Sequence, residues 1–346
     1  MYIISLNTGS SSIKLSIFET KKLTLIDTVQ LENVTNFEKS LQKTLGNLKE
    51  VDLSKVTAVA HRFVHGGEEF KQTTLITPKI IAKLEKLKHL APLHNPNNLK
   101  GIIVAKKLIK APHFAVFDTS FHQTLKPKAY LYGIPYKYYV DKKIRKYGFH
   151  GINHKYVYET ACEQLGLAKN QANGIVCHLG NGCSVSAISN GRSVDTSMGF
   201  TPLEGLIMGT RSGNIDPAII FFLKREYPRL DVEKMLLEKS GILGLSQLSN
   251  HMRTVYLAAK KGHKVAQMAI DTFCYRVSHY LGFYANLLEN VDFIAFTGGM
   301  GEQAGYIRKK VLNNLPGLKI DQSKILVITA NEALEMAKEV KSCLSK

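Results

Sequence analysis

The sequence lacks several features that would place it in a specialised class of proteins. No apolar run approaches the ~20 residues that a membrane-spanning helix needs, and the stretch Asn7–Ser12 is too polar for the core of a signal peptide. The five cysteines are odd in number and form no C-x-x-C pair, so we expect reduced, mostly buried thiols. These absences predict a cytoplasmic protein with no membrane partner.

Acidic residues are scarce relative to basic ones. The chain has 28 Asp and Glu against 46 Lys and Arg, which gives a net charge of +18. A nucleic-acid-binding protein would concentrate such charge in a block interleaved with aromatic residues. The lysines are instead scattered through predicted helices and turns, for example at Lys83, Lys106 and Lys260. We therefore predict no nucleic-acid partner and expect the basic surface to attract small anions.

What is present indicates two domains of the α/β class. The 346 residues exceed the length at which a single core stops growing, roughly 250–300 residues, and predicted strands and helices alternate along both halves. We predict a first domain over 1–149, a second over 150–330, and a helix over 331–346 that packs back on the first domain. The main predicted elements are strands at 2–7, 12–18, 56–60 and 113–117, a hairpin at 174–195, a buried strand at 292–297, and helices at 96–110, 153–166 and 263–289.

A hairpin pattern occurs once in each half. The segments 4–17 (ISLNTGSSSIKLSI) and 175–188 (IVCHLGNGCSVSAI) each consist of an apolar run, a polar Gly-rich turn and a second apolar run. The ungapped alignment pairs Gly9 with Gly180, Asn7 with His178, Ser12 with Cys183, and Lys14 with Val185. Turns of this kind expose backbone N–H groups that can hold phosphate. The repeat suggests a duplicated protein that grips a nucleotide between its domains, although such turns are also common without any function.

Polar side chains follow several predicted strands. Arg62 follows the apolar run 56–60, Asp118 follows the run 114–117, and His94 and His150 lie in the motifs APLHNP and YGFHG. In open α/β sheets, ligands bind beyond the carboxyl ends of the strands. We therefore expect several of these side chains to converge on one cleft.

Two glycine-rich segments are candidates for binding anions. Residues 193–217 are too long for an ordinary connection and too apolar for a disordered one, which favours a functional loop. Within it, Arg211 lies between Gly209 and Gly213, and its planar fork suits a carboxylate or phosphate. Residues 298–302 (GGMGE) link a predicted strand to a helix, as phosphate-binding turns do, although a purely structural turn has the same pattern.

Two other kinds of site have little support. His61 with His65, and His150 with His154, have the H-x-x-x-H spacing of some zinc sites, but glycines interrupt the helix that zinc would need. A serine hydrolase would have a G-x-S-x-G motif, and the sequence has none.

Together, the motifs resemble those of the acetate kinase family, the short-chain carboxylate kinases of the actin and sugar-kinase superfamily. The resemblance extends from residue 3 to the C-terminal helix, and its motifs are NTGSSSIK, HRFVHGG, APLHNP, FDTSFH, YGFHG, HLGNG and DTSMGFTPLEGLIMGTRSG. It implies two duplicated actin-like (ribonuclease H-like) domains with a cleft between them. It also implies reversible transfer of the γ-phosphoryl group of ATP to acetate, and a homodimer joined through the second domain.

The resemblance implies roles for individual residues. Asn7 and Glu332 would hold Mg²⁺, or Mn²⁺ in its place. Arg62 and Arg211 would bind the carboxylate and the moving phosphoryl group, with His150 stabilising the transition state and His94 lining the site. An apolar pocket for the substrate's methyl group would be formed by Val64, Leu93, Phe149 and Pro202. The nucleotide would contact Ser10, Ser12, Lys14, His178, Leu179, Gly180, Asn181, Gly182, His251, Met252, Arg253, Gly299, Met300, Gly301, Glu302 and Gln303.

Asp118 matches the catalytic aspartate of the family. Acetate resembles the Asp and Glu side chains, whose pKa is about 4, so it is already ionised at pH 7 and needs no base. We interpret Asp118 as a residue that orients an arginine or a metal-bound water.

Some positions depart from the family pattern. Ile152 and Asn153 replace Thr-Ser, Gln303 replaces Asn, and His251 replaces an Asp near the expected nucleoside site, so we expect relaxed selection of ATP over other nucleoside triphosphates. The chain is also shorter than typical members of the family around residues 20–50 and 315–325. Propionate stays open as the substrate, because one methylene contributes only about 1–3 kcal/mol of discrimination. A non-catalytic nucleotide switch is the alternative from another class, and the retained arginines argue against it.

Overall fold

We describe residues 1–9, 12–47 and 52–345 of a computed structural model. Contacts within the chain divide it into a first unit (1–123, 151–156 and 331–346) and a second unit (124–150 and 157–330). The strands are β1 (Tyr2–Thr8), β2 (Ile13–Glu19), β3 (Leu25–Leu31), β4 (Val56–Phe63), β5 (Thr74–Leu75), β6 (His113–Phe117), β7 (Asn173–Leu179), β8 (Cys183–Ser189), β9 (Arg192–Thr196), β10 (Phe293–Thr297) and β11 (Ile325–Val327). The helices are α1 (Phe37–Gly46), α2 (Pro78–Lys86), α3 (Asn95–Leu108), α4 (Pro127–Tyr130), α5 (Lys137–Lys142), α6 (Gly151–Leu165), α7 (Ala218–Glu226), α8 (Val232–Glu238), α9 (Gly241–Ser246), α10 (Met252–Lys260), α11 (Lys264–Leu287), α12 (Gly298–Gln303), α13 (Gly305–Asn313) and α14 (Glu332–Leu344).

The sheets of the two units share the order and directions of five strands, and the first sheet has β5 as a sixth. In the first unit the strand order is β3-β2-β1-β4-β6-β5, and in the second it is β9-β8-β7-β10-β11. β1 pairs antiparallel with β2 and parallel with β4, as β7 does with β8 and β10. The fourth and fifth strands of each order are also parallel. This repetition confirms the duplicated α/β fold that the two hairpin motifs indicate.

The two hairpins differ by one residue in their turns. Thr8 pairs with Ile13 across the first turn, whereas Leu179 pairs with Cys183 across the second. One step further from the turn, Asn7 pairs with Lys14 and His178 pairs with Ser184. The residue of the second copy that is equivalent to Lys14 is therefore Ser184. The ungapped alignment, which pairs Lys14 with Val185, is wrong beyond the turn because the first turn is one residue longer.

The first sheet has a helical layer on each face. One core cluster joins alternate residues of β1, such as Ile4 and Leu6, to Leu41 of α1 and Val104 of α3. A second cluster joins Ile3 and residues of β4 to Met336 and Val340 of α14. The side chains of β1 alternate between the two clusters because successive residues of a strand face opposite sides of the sheet.

Polar contacts fix the start of α14 against the sheet. Asn331 caps the helix by accepting a hydrogen bond from the backbone N–H of Leu334, and the Ser5 hydroxyl donates to the carbonyl of Ala333 over 2.7 Å. Lys155 forms ion pairs with Glu335 and Glu339 of the same helix, at 2.9 and 2.7 Å. These contacts hold the first turn of α14, which begins at Glu332, against β1.

The second unit is built around the long helix α11. Its buried face includes Ala269, Phe273, Val277 and Leu281, at the three- and four-residue spacing of one helix face. His263 caps the helix by accepting from the N–H of Ala266. None of the helices in the described ranges is both long and apolar enough to cross a membrane.

Two buried histidines face each other between β4 and β6. His61 Nε2 lies 2.8 Å from His113 Nδ1, and His113 Nε2 lies 3.0 Å from the carbonyl of Ile109. A carbonyl only accepts, so His113 Nε2 carries the proton and its Nδ1 accepts from His61. Burial holds the pKa of His61 well below its usual value and lowers the pKa of His113 to about 4. Both rings are therefore neutral at pH 7.

We expect acid to destabilise the fold through this histidine pair. Between pH 6.5, where an unfolded histidine titrates, and the folded pKa of His113 of about 4, the unfolded state binds the additional proton, so stability falls as the pH falls. For His113 alone the loss across this window is about 3 kcal/mol. Denaturant unfolding of the wild type and of His113→Gln at a series of pH values measures it. The free energy of unfolding should fall less steeply with decreasing pH in His113→Gln than in the wild type. Equal dependence on pH in the two proteins would contradict this prediction.

Candidate active site

Arg62 and Asp118 form a buried ion pair at the ends of two neighbouring parallel strands of the first unit. β4 and β6 pair in parallel, with Phe63 opposite Phe117, and the N–H of Asp118 continues the ladder by donating to the carbonyl of Phe63 over 3.1 Å. Arg62 Nε donates to both carboxylate oxygens of Asp118, at 3.0 and 3.1 Å, and Nη2 donates to Oδ2 at 2.6 Å. The planar guanidinium is therefore held in one orientation.

The electrostatics of this pair keep Arg62 charged. Burial alone would lower the pKa of the Arg62 guanidinium, but the Asp118 carboxylate outweighs this effect and, with a smaller contribution from Glu332, raises the pKa. The Asp118 side chain is only 2% exposed, whereas that of Arg62 is 22% exposed. The arginine can therefore meet a ligand while the aspartate stays behind it.

Oxygen ligands for a cation lie close by in the first unit. The Asn7 amide stands near the end of β1, and the Glu332 carboxylate lies close enough to Arg62 to raise the pKa of its guanidinium. The described residues contain no cluster of three or more His, Cys, Asp or Glu side chains that could hold a metal. An amide and a carboxylate fit Mg²⁺, which is usually bound by one or two carboxylates, water and substrate phosphates. Lys14 pairs with Asn7 across the hairpin and is exposed, and Ser10 lies outside the described residues.

The first turn of α3 is tied to the last residue of β1 and to the residue that follows β4. The Asn98 side chain accepts from the N–H of Val64 at 3.1 Å and donates to the carbonyl of Thr8 at 2.6 Å. His94 lies directly before the first turn of α3. Of the apolar residues predicted here, Val64 is buried, whereas Leu93 is 59% exposed.

In the second unit, His150 lies over the turn of the second hairpin. Its Nδ1 is 2.9 Å from the hydroxyl of Ser184 on β8, and its ring stacks on that of His178, with centroids 4.3 Å apart. The backbone of His150 is in the left-handed region (φ 58°), directly before α6. A β-carbon at Gly182 would lie 3.3 Å from His150 Nε2 and 3.9 Å from Arg211 Nη1. Glycine at this position therefore leaves open space in front of both groups.

Arg211 is a half-buried cation with no acidic partner among the described residues. Its Nη1 donates to the carbonyl of Pro202 over 3.3 Å, and burial lowers the pKa of its guanidinium. It lies in the long connection between β9 and α7, as the glycine-rich loop predicts. Phe149 is fully buried in the same unit. A guanidinium that is removed from water without a carboxylate is available to an anionic ligand.

The second unit also contains a cavity of about 490 Å³. Two turns contribute to it, the hairpin turn at Gly180 and Asn181 and the start of α12 at Gly299 and Met300. The turns approach closely because Gly298 has φ of 77° and a β-carbon there would lie 3.0 Å from the backbone of Leu179. The remaining lining residues are Asn250, His251, Met252, Arg253, Tyr256, Leu257, Gln303, Ala304 and Tyr306.

Comparisons with known proteins agree with this arrangement. The family model described as the acetokinase family matches residues 2–341. The chain belongs to the acetokinase family. It is 41% identical to an acetate kinase of Acetivibrio thermocellus over 391 aligned positions, which cover 98% of each chain. The alignment is longer than this chain, so the relative has internal segments that this protein lacks.

Solved structures of the family have the same fold. A Porphyromonas gingivalis acetate kinase matches with a TM-score of 0.90 and 34% identity, covering 99% of both chains. A propionate kinase from Francisella tularensis matches with a TM-score of 0.90 and 37% identity, covering 98% of both chains.

Not all the nucleotide-binding residues implied by the acetokinase resemblance line the cavity. Those that line it are Gly180, Asn181, His251, Met252, Arg253, Gly299, Met300 and Gln303. Leu179 is fully buried, and His178, Gly182, Gly301 and Glu302 are not among the lining residues. The carboxylate of Glu302 instead accepts the N–H groups of Gly298 and Ala330, each at 3.0 Å. Glu302 therefore fixes the start of α12.

Tyr256 and Tyr306 are the main cavity residues that the acetokinase motifs did not reveal. They belong to α10 and α13, and their rings stack with centroids 3.6 Å apart. One signal was available, because Tyr256 follows Met252 by four residues and therefore lies on the same face of any helix containing both. Nothing local in the sequence indicated that Tyr306 would meet it.

Proposed function

We propose that the protein transfers the γ-phosphoryl group of ATP to acetate, reversibly, giving acetyl phosphate and ADP. The observation that carries this proposal is Arg211, a half-buried cation without an acidic partner among the described residues, next to His150 and an open glycine. The family relatives named acetate kinase support the choice of acetate.

In the reaction, a carboxylate oxygen of acetate attacks the γ-phosphorus of ATP. A carbon-bound oxygen forms the new O–P bond, and the bond from the γ-phosphorus to the bridging oxygen breaks, with its electron pair leaving on ADP. Such transfers depend on positioning and charge neutralisation more than on covalent chemistry. We assign Arg62 and Arg211 to the carboxylate and the phosphoryl group, and His150 to the transition-state charge.

We propose that Asp118 acts as a positioning residue for Arg62. Its carboxylate accepts all the hydrogen bonds that orient the guanidinium, and it is buried behind the arginine. Because acetate is already ionised at pH 7, the reaction requires no proton from it.

Asn7 and Glu332 would hold a Mg²⁺ ion, or Mn²⁺ in its place. When bound, the ion would neutralise charge on the ATP phosphates. The exposed Lys14 and the backbone N–H groups of the first hairpin turn would bind the same phosphates.

Trapping the acyl phosphate with hydroxylamine tests the proposed function. Purified protein with ATP and Mg²⁺ should yield the hydroxamate from acetate, with propionate measured in parallel. Propionate is the second candidate because the family includes a propionate kinase with the same fold. If kcat/KM is higher for propionate than for acetate, propionate is the substrate in place of acetate. Absence of both hydroxamates would favour a nucleotide switch and contradict the proposal.

We also propose that the protein forms a homodimer through α11 in the second unit. Opposite its buried face, α11 exposes Met268, Tyr275, Phe283 and Leu287, which share one side of the helix. Helix α7 of the same unit also exposes apolar side chains, with Phe221 69% exposed. We place this enzyme in the cytoplasm, where ATP is available.

The apolar stripe on α11 predicts the effect of a charge in it. Phe283→Glu should convert the dimer to a monomer, because an unpaired carboxylate is costly to bury in an interface. Sedimentation velocity measures the change. Leu75→Glu, at an exposed position in the first unit, is the control and should remain dimeric. A dimer in both variants would place the interface elsewhere.

A further inference from the structure

The cavity of the second unit has an aromatic wall that the motifs of the family do not account for. Tyr256 and Tyr306 stack almost in parallel, with 12° between the ring planes. Both rings are half-buried and both line the cavity. The Tyr306 hydroxyl reaches the carbonyl of Met252 at 3.5 Å, which links α13 to the first turn of α10. The pair is therefore a fixed part of the wall.

The two stacked rings differ in their other contacts. Lys260, one helical turn after Tyr256, places its ammonium 5.6 Å from the centre of the Tyr256 ring. The Tyr256 ring thus contacts both Tyr306 and a cation. Burial, with a smaller effect of Tyr256, raises the pKa of Tyr306 to about 12. The Tyr306 ring is therefore neutral at pH 7. Among the described residues, no aromatic ring or cation stacks on its outer face, the face turned away from Tyr256, and the ring lines the cavity.

The polar side chains around the cavity do not favour one base edge. Asn250, Gln303 and His251 can each donate or accept hydrogen bonds, and Arg253 donates. None of the described residues that line the cavity is acidic. An exocyclic amine and a carbonyl oxygen on a base can both find partners among these groups. Hydrogen bonds to the edge of the base therefore discriminate weakly between bases. Affinity for the base then depends mainly on contact with its flat face.

We infer that the outer face of Tyr306 is a stacking platform for the base of the nucleotide, and that the site selects purine nucleotides as a class rather than adenine alone. This inference rests on the proposed function only in assigning the cavity to the nucleotide. A purine presents two fused rings to the platform and a pyrimidine presents one, so ATP, GTP and ITP should bind similarly and CTP less tightly. The cavity of about 490 Å³ is large enough for a nucleoside.

A tryptophan reporter tests the platform directly. The chain contains no tryptophan, so Tyr306→Trp introduces a single indole at the proposed contact. Its fluorescence should change on addition of ATP or GTP, less with CTP, and not with inorganic tripolyphosphate, which has no base. An equal response to tripolyphosphate, or no response to ATP at concentrations that saturate binding, would overturn the inference.

Binding measurements with matched variants complete the test. Tyr306→Leu should weaken ATP and GTP binding about tenfold, in line with the loss of one base–aromatic stack, and leave competition by tripolyphosphate unchanged. Tyr306→Phe keeps the ring and should stay within about twofold of the wild type. Tyr138→Leu, at an exposed tyrosine outside the cavity, is the control. Unchanged ATP binding in Tyr306→Leu would overturn the inference.

The two proposals fail in different ways. If ATP binding depends on Tyr306 in this way but no hydroxamate forms, the proposed reaction is contradicted and the stacking platform stands. If the protein makes the hydroxamate and the KM for ATP is unchanged in Tyr306→Leu, the stacking platform is contradicted and the proposed reaction stands.

Discussion

Replacing Arg211 by alanine is expected to lower kcat for acyl phosphate formation by about 10³–10⁵-fold, the range for an arginine at a phosphoryl-transfer transition state. The fold should persist. Arg211 has no carboxylate partner among the described residues, and its guanidinium donates to the carbonyl of Pro202 at 3.3 Å and to the sulfur of Met208. Its removal therefore leaves no buried charge without a counterion. A large loss of turnover with a small change in stability would distinguish a ligand-binding cation from a structural one.

Two controls sharpen the Arg211 experiment. Arg211→Lys keeps the charge but loses the planar fork, so it should recover only part of the activity. Arg229→Ala removes an exposed arginine of the same unit and should leave kcat unchanged. Thermal unfolding of each variant checks the fold. Wild-type kinetics in a folded Arg211→Ala protein would contradict the assigned role.

Replacing Asp118 by asparagine is expected to lower turnover by about 10²–10³-fold, comparable to the loss of a group that organises transition-state charge. The acidic limb of the pH–rate profile should stay where it is. Asparagine cannot accept the paired hydrogen bonds that Arg62 donates to both carboxylate oxygens, so the guanidinium loses its orientation. The acidic limb reflects ionisation of the substrate carboxyl, at a pKa of about 4 to 5.

A double-mutant cycle tests whether Asp118 acts through Arg62. If it does, Arg62→Ala with Asp118→Ala should be no slower than Arg62→Ala alone, because the aspartate has nothing left to orient. Arg62→Ala should also cost about 3 kcal/mol of stability, since it leaves a buried carboxylate unpaired. Independent, additive losses, or an acidic limb that disappears in Asp118→Asn, would instead indicate a base.

Much of the fold follows from local patterns in the sequence. The predicted strands at 2–7, 12–18 and 113–117 match β1, β2 and β6 within a residue, because their apolar runs end at polar or glycine residues. The helix predicted at 263–289 matches α11, whose spacing of apolar residues is regular over six turns. β5 is two residues long and has no periodicity to detect.

The parts that were not predictable depend on residues distant in sequence. The one-residue difference between the hairpin turns appears only once the strands pair, because an ungapped alignment cannot register it. Glu302 lies in a glycine-rich motif typical of phosphate binding, but one of its partners, Ala330, is 28 residues away. Its role as an acceptor for the backbone therefore has no local signal. The stacking of Tyr256 on Tyr306 likewise requires two helices to meet.

The Arg62–Asp118 pair illustrates an intermediate case. The positions of both residues at strand ends were predictable, and so was their meeting, because β4 and β6 are parallel neighbours. What the sequence could not indicate is the imbalance in exposure between them. In the proposed mechanism, that imbalance, and not the contact itself, assigns Arg62 to the substrate and Asp118 to the positioning of Arg62.

The one-residue offset between the hairpins has a consequence for how the two copies can change. Lys14 and Ser184 occupy the same place in their respective ladders, yet the first offers an exposed ammonium and the second a buried hydroxyl bonded to His150. A lysine introduced at Ser184 would bring a long cation into a site already filled by an imidazole. The two hairpins are thus not interchangeable at this position, and a side chain that fits at Lys14 does not fit at Ser184. Internal symmetry persists in the order and pairing of the strands and has been lost at the turns, which differ in length and in the side chains beside them.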